Sequence, residues 1–589
     1  MKKVCELLIL FLFVGWGSVL AQSRVVKGTV MDEKGETLIG VPVFIKGTSQ
    51  GTVTNIDGRY VLPNLSEKDT LVISYIGFAR HEQPVGANEQ IDVVLKSDLA
   101  ELEEVQVVAF QKQKKESVIG SITTIKPADL KQPNTNLTNS LAGRIAGVVS
   151  YQRSGEPGAD NAEFFIRGVT SFGYKNSPLI LLDGFEISSS DLARVEPDNV
   201  ASFSIMKDAT ATSLYGSRGA NGVIMVTTKQ GKRGKAVIEA RIETALAAPT
   251  MTNKFLGGVD YMNLYNQATR TRDPNAILLY SKDKIENTRN GVNQYVFPNV
   301  DWYNELFKDY TMNTKANVNV NGGGEIARYY LSVAYTNETG LLNVDNMNNF
   351  NNNIDIDRYN IRANVDVDLT KTTVASVKLY SLFDRYNGPA DSASNIFKEV
   401  MNANPVNFPK FFPKTEETAY LNHTLFGNKG NGNYANPYAD MVKGYKDEFT
   451  STILSQFQIE QDFSFITEGL SARGMASIKT YSSYGSNRSF DPFYYAVQSY
   501  DPTANTYDLY QVKEGTEYLK APVTHTNANS RAYFEVAGMY NRSFEKHAVG
   551  ALLVFTQEER LNTVQGNDVY ASLPARNMGL AGRMTYAFE

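Results

Sequence analysis

Four histidines (His81, His423, His525 and His547) are scattered through 589 residues, and the single cysteine is Cys5. A zinc-type centre needs several such ligands at close spacing, so no His-based metal cluster, disulfide framework or cofactor is expected. Gly216, Gly219 and Gly222 stand in GSRGANG. That spacing fits neither the GxGxxG nor the GxxxxGKS/T phosphate loop, so a tight helix-to-strand turn is predicted there. Lys207 and Asp208 with Arg218, and Arg167 with Asp183, have the chemistry for ion pairs between packed surfaces, because buried charges require partners. None of them makes a nucleophile–base–orienter set, and catalysis is not expected.

The composition narrows the setting. A formal charge of −5 with no polybasic excess gives no sign of a nucleic-acid partner. Hydrophobic residues at 42% and charged residues at 21% exclude both a disordered chain and a helical membrane bundle. Lys2 and Lys3, the apolar run Leu7 to Val14, and Val19-Leu20-Ala21 before Gln22 have the layout of a signal peptide over residues 1–21. The exported chain would then hold no cysteine between residues 22 and 589. The fold class expected is mainly β.

Residues 22–97 read as a small β-sandwich. Val26, Gly28 and Val30, then Val41, Val43 and Ile45, alternate with other residues, and Lys34-Gly35 and Asp57-Gly58 are turn signals. Residues 98–115 form a charged linker around Val105-Gln106-Val107-Val108-Ala109-Phe110. Such a β-prone segment between polar flanks can pair with the sheet edge of another protein. Residues 116–234 are mixed α/β. A short helix is predicted from Asn134 to Gly147 on Leu137, Leu141 and Ile145, with a strand from Pro178 turning at Asp183-Gly184. Asp208 is predicted to cap a helix through Leu214 that ends at Gly216, before a strand from Val223 to Thr228.

From residue 235 to 589 the pattern is dyadic. Ile361, Ala363, Val365 and Val367, for example, alternate with Arg362, Asn364, Asp366 and Asp368. Long connections (Ala248–Thr311, Asn387–Phe449, Tyr484–Asn529) alternate with short ones (Gly322–Ile326, Thr370–Thr372, Ile466–Gly469, Ser543–Lys546). A transmembrane barrel has this order, with short turns on one side and long loops on the other, and lipid outside. About ten strands are predicted. Plugged barrels need about 22, so the sequence is expected to hold the first half of such a wall and to lack the second.

Several stretches carry a resemblance. VKGTVMDEKGETLIGVPVFIKGTSQGTVTNIDGRYVLPN looks like a carboxypeptidase-regulatory-like domain, a transthyretin-like sandwich. LEEVQVVAFQKQKKESVIGSITTI resembles the TonB-box region of SusC/RagA-like TonB-dependent outer-membrane transporters. SLAGRIAGVVS, FFIRGVTSFG, PLILLDGFEI and SFSIMKDATATSLYGSRGANGVIMVTTKQGKRGK resemble their plug in order. The resemblance implies a TonB box at Glu104, Val105, Gln106, Val107, Val108, Ala109 and Phe110. It also implies plug roles for Arg144, Arg167, Asp183, Gly184, Lys207, Asp208, Tyr215 and Arg218. It further implies a Gram-negative outer-membrane location, an inner-membrane TonB energy-coupling complex, and a SusD-like surface lipoprotein as lid. The cargo would be an oligosaccharide or peptide, glycans first. Tyr420, Phe426, Tyr434 and Tyr438, in the loop 387–449, are candidates for stacking sugar rings or packing against the lid. The rival readings are a siderophore or cobalamin transporter, which would usually lack the leading sandwich, and a surface adhesin or scaffold. An exported carboxypeptidase would need zinc ligands that four scattered histidines do not offer.

Overall fold

The computed structural model describes residues 24–588 except 33–34, 49, 76–77, 79–80, 96–104, 109, 115–121, 126, 170–175, 345–346, 564–569 and 571–572. The signal segment, Glu104 and Ala109 therefore lie outside the described residues. The chain divides into two compact units. One holds the residues up to Gln106 together with Gln113–Glu116, and the other holds Val107–Lys112 and everything from Ser117 onward.

The first unit is the sandwich. Arg24–Asp32 is the middle strand of a three-stranded sheet between Arg59–Leu65 and Val93–Leu95. A four-stranded sheet runs Gly51–Val53, Pro42–Ile45, Thr70–Ile73, His81–Pro84. Alternate residues (Val26, Val30, Val43, Ile45, Leu71, Ile73) turn inward into one core, as the period of two requires. Tyr60 crosses that core and donates from its hydroxyl to the Ile91 carbonyl at 2.8 Å. Gly28 is required beside it, because a Cβ there would stand 1.8 Å from the Ile91 oxygen.

In the second unit, five strands form the plug sheet in the order Ile122–Ile125, Val200–Met206, Val223–Thr228, Leu179–Leu182, Phe185–Ile187. Leu179–Leu182 is parallel to Val223–Thr228, and it is buried throughout, as a covered central strand must be. Two helical expectations need correction. Only a 3₁₀ turn, Leu137–Leu141, forms where a longer helix was predicted. Asn136 caps it, and Gly143 adopts φ +70°, which ends helical geometry before Ile145. After Asp208 the helix stops at Thr212 and continues as a 3₁₀ stretch, Ser213–Gly219, broken at Gly216. Asp208 makes no capping hydrogen bond, because its carboxylate pairs with Arg167 instead.

Ten antiparallel strands in strict sequence order form the wall: Gly234–Ala247, Thr311–Gly323, Ala327–Thr339, Asp355–Asp368, Thr373–Pro389, Gly444–Asp462, Leu470–Ser489, Val523–Phe544, His547–Thr563 and Ala575–Phe588. Its burial is inverted relative to a protein folded in water. Asn317, Asn319, Ser332, Arg362 and Asn364 are buried, while Val318, Leu331, Val333, Ile361 and Leu553 are exposed. Several strands run further than their alternation predicts, as Leu470–Ser489 does past Thr480. Beyond an apolar belt both faces can be polar, so the alternation lapses while the backbone ladder continues. The long connections carry their own core, with Trp302, Ile396, Val400, Phe408, Phe426 and Tyr438 at its centre.

Candidate functional site

The Asp183-Gly184 turn joins Leu182 to Phe185 with both residues at positive φ, +50° and +88°, the backbone of a two-residue hairpin. The turn presents Asp183 to the wall. Thr228 donates to it from its backbone N–H (3.0 Å) and its hydroxyl (2.7 Å). Arg362 Nη1 and Lys378 Nζ reach its two oxygens at 3.4 and 3.5 Å, and Gln456 Nε2 donates to its carbonyl at 3.1 Å. Arg362 also lies over the Tyr380 ring, 4.9 Å from its centroid. Burial alone would raise the Asp183 pKa, but Lys378, Arg362 and the Thr228 hydrogen bonds hold it below the usual carboxylate range.

This contact belongs to a seam along the whole plug. Asp198 pairs with Arg241 of the first wall strand (2.6 Å), and Glu196 with Lys315 of the second (2.6 Å). Tyr330 of the third, fully buried, donates to Asn199 Oδ1 at 2.8 Å. The fourth, fifth and sixth strands meet at Asp183, and Lys479 of the seventh pairs with Asp191. Arg531 of the eighth binds Glu186 at 2.5 Å, and Glu558 of the ninth receives Arg218 Nη1 at 3.4 Å. Nine consecutive strands thus each offer a polar side chain to one plug, so the sheet wraps around it. Beside the far end of the seam lies a cavity of about 1330 Å³, lined by Glu186, Tyr215, Arg218, Arg531, Glu558 and Arg560 among others.

The segment expected to be the TonB box contains the strand Val105–Val108, paired with Gln111–Lys114 as a two-stranded sheet. Phe110 stands in the turn. Its ring packs on Tyr215 with centroids 4.9 Å apart, beside Leu214 and the wall residues Ala537, Leu552 and Val554. The described end of the segment is thus held to the plug through the Phe110 ring.

The remaining expected residues divide. Asp183 and Arg218 reach the wall, and Gly184 completes the turn. Arg167 pairs with Asp208 rather than Asp183, Lys207 donates to the Ala146 carbonyl, and Arg144 donates to the Asp129 carbonyl at 2.6 Å. These three contacts lie within the plug. Phe426 and Tyr438 are 1% and 2% exposed in the loop core, which leaves them no face for a ligand. Tyr420 and Tyr434 remain exposed. Glu186, Asp191, Arg194, Glu196 and Asp198 were not singled out by sequence. Their density within 13 residues was the available signal, together with one inward Lys or Arg on most facing strands. Among the described residues there is no cluster of metal-ligating side chains and no helix long and apolar enough to cross a membrane.

Comparison with known proteins agrees with this architecture. The TonB-dependent receptor plug domain family matches residues 114–223, and the CarboxypepD_reg-like domain family matches residues 26–107. The TonB-dependent receptor P3 of Formosa agariphila is 36% identical over 63% of this chain and 34% of its own length. The TonB-dependent receptor SusC of Bacteroides thetaiotaomicron is 34% identical over 60% of this chain and 34% of its own. The chain spans about a third of the length of these curated relatives. The RagAB peptide importer in its closed-closed state shares the fold, with a TM-score of 0.55 at 19% identity over 80% of this chain and 54% of that one. With a regulatory-like sandwich, a receptor plug and a wall of ten consecutive strands, the chain is similar in sequence to SusC-like TonB-dependent receptors and shares the fold of RagAB.

Proposed function

We infer that the protein imports oligomeric nutrients, glycans first, across the outer membrane. In this reading a TonB-type complex holds Val105–Phe110 and displaces the plug, and a SusD-like surface lipoprotein delivers the cargo. The observation that carries the reading is the inverted wall filled by a plug. An apolar outer face suits lipid, and a polar inner face tied by separate ion pairs suits a plug that must leave and return. The likeness in sequence to SusC and in fold to RagAB supports it. A tethered segment coupled to a lumen-filling domain is a workable two-state switch.

The test is growth of the producing cells on a panel of glycans and peptides, with full-length receptor and with the same receptor lacking Val105–Phe110. The reading predicts loss of growth on one polymer class, with the shortened receptor still in the outer membrane. Unchanged growth on every polymer would favour an adhesin or scaffold.

A further inference from the structure

The cavity of about 1330 Å³ between the plug and the seventh to tenth wall strands carries an unbalanced charge. Arg531 and Arg560 stand directly opposite one another on Val523–Phe544 and His547–Thr563, and both line the cavity. Like charges in such register destabilise a sheet, so a cross-strand pair of arginines needs anions to hold it. Two carboxylates serve. Glu186 of the plug meets Arg531 Nη2 at 2.5 Å and Arg560 Nη2 at 3.5 Å. Glu558 meets Arg531 Nη2 at 2.8 Å and pairs with Arg560 Nε. Arg218 of the plug then joins the same two carboxylates.

Three guanidiniums thus share two carboxylates, which leaves one positive charge over. Lys479, on the same lining, does not alter the sum, because Asp191 matches it. Burial and the two neighbouring guanidiniums hold the Arg218 pKa below the ordinary arginine value even with Glu558 beside it, as crowded cations require. Arg531 Nε is buried and has no hydrogen-bond partner among the described residues, although buried donors are ordinarily satisfied. Arg218 and Arg560 keep 45% and 35% of their side-chain surface open, so the excess charge stays within reach of a ligand in the cavity. Guanidinium forks match planar oxyanions in bidentate fashion. The volume also exceeds the roughly 300–1,000 Å³ of ordinary ligand sites, which suits an oxyanion carried on an oligomer. Asn529 and Asn562, opposite each other two residues further along the same strands, line the same space and add amide groups for the rest of such a molecule.

We propose that this cavity is an oxyanion site, in which Arg218, Arg531 and Arg560 bind a carboxylate or sulfate group borne by the cargo. The inference rests on the import reading for the ligand's origin, and it adds a charge to the cargo rather than a polymer class.

The test uses full-length receptor purified from outer membranes and titrated calorimetrically at constant ionic strength, since salt screens such contacts. The probes are trigalacturonate and a tripeptide of glutamate, their neutral counterparts maltotriose and trialanine, and free acetate and sulfate. At least one acidic trimer should bind, about tenfold or more tighter than its neutral counterpart. Arg560→Gln leaves two guanidiniums on two carboxylates, and it should weaken that binding about tenfold or more, as for loss of one charge-assisted hydrogen bond. Glu186→Gln enlarges the excess and should tighten it several-fold, an opposite sign that damage to the fold would not produce. Arg576→Gln removes an equal charge from the exposed pair with Glu559 and should bind as the parent does. Acidic trimers that bind no tighter than acetate or sulfate would assign the site to a free anion and overturn its place on the cargo. Binding of no acidic probe, or equal binding by parent and Arg560→Gln, would overturn the site itself. Uptake that still required Val105–Phe110 would then show that import stands while the oxyanion site does not.

Discussion

Asp183 meets three wall strands at once, and its surroundings make a sharp prediction. Removing its carboxylate as Asp183→Ala leaves Arg362 and Lys378 buried without their counter-charge. Breaking a buried pair from one side costs about 3–5 kcal/mol, because the remaining charge cannot recover its hydration. Resistance of the plug to urea, followed by proteolysis, should fall accordingly, with Asp183→Asn falling less. The pH dependence has a definite sign. Asp183, Asp191 and Asp198 all have folded pKa values held below the ordinary one. Their contribution is therefore present above the unfolded value of about 4 and lost as pH falls through the folded values. The seam should loosen in acid and be indifferent to mild alkali. Acid resistance equal to that at neutral pH would remove the seam from the account.

At the scale of elements, the turns decide where the plug strands lie. Gly222 sits at φ +86° immediately before Val223–Thr228, and a Cβ there would stand 2.6 Å from Ile166 Cδ1 and 3.0 Å from the Met206 carbonyl. Gly222→Val should cost about 1–3 kcal/mol through strain and crowding. Gly143→Asn, where φ is +70° but nothing lies within 4 Å, should be nearly silent in the same thermal melt. These elements were unequally legible. Period-two alternation in residues such as Ile361 to Asp368 gave the wall strands, and Asp183-Gly184 gave its hairpin. The helix after Asn134 came out as one 3₁₀ turn, because apolar spacing says nothing of Ala142 turning extended and Gly143 left-handed, and the one after Asp208 tightens to 3₁₀ from Ser213 before its break at Gly216. Strand ends past Thr480 were hidden for a related reason, since a ladder persists where no face is apolar.

On the scale of the molecule, one plug tied to nine strands in sequence accounts for both the inverted burial of the wall and the acid-rich stretch from Asp183 to Asp198. Sequence indicated a filled barrel, but not which charges meet, because pairing depends on registers between segments hundreds of residues apart, as with Glu186 and Arg531. Likewise, four loop aromatics looked alike in sequence, yet the loop core buries Phe426 and Tyr438 and leaves Tyr420 and Tyr434 outside. The central claim is that pulling on Val105–Phe110 moves this plug away from its wall. Ala193 is 1% exposed beside the seam, and residues 22–589 hold no cysteine, so Ala193→Cys gives a nearly silent probe. In living cells, a small water-soluble maleimide should label it only when the proton-motive force is intact and Val105–Phe110 is present. Equal labelling with and without that segment, or none under any condition while uptake continues, would contradict the account.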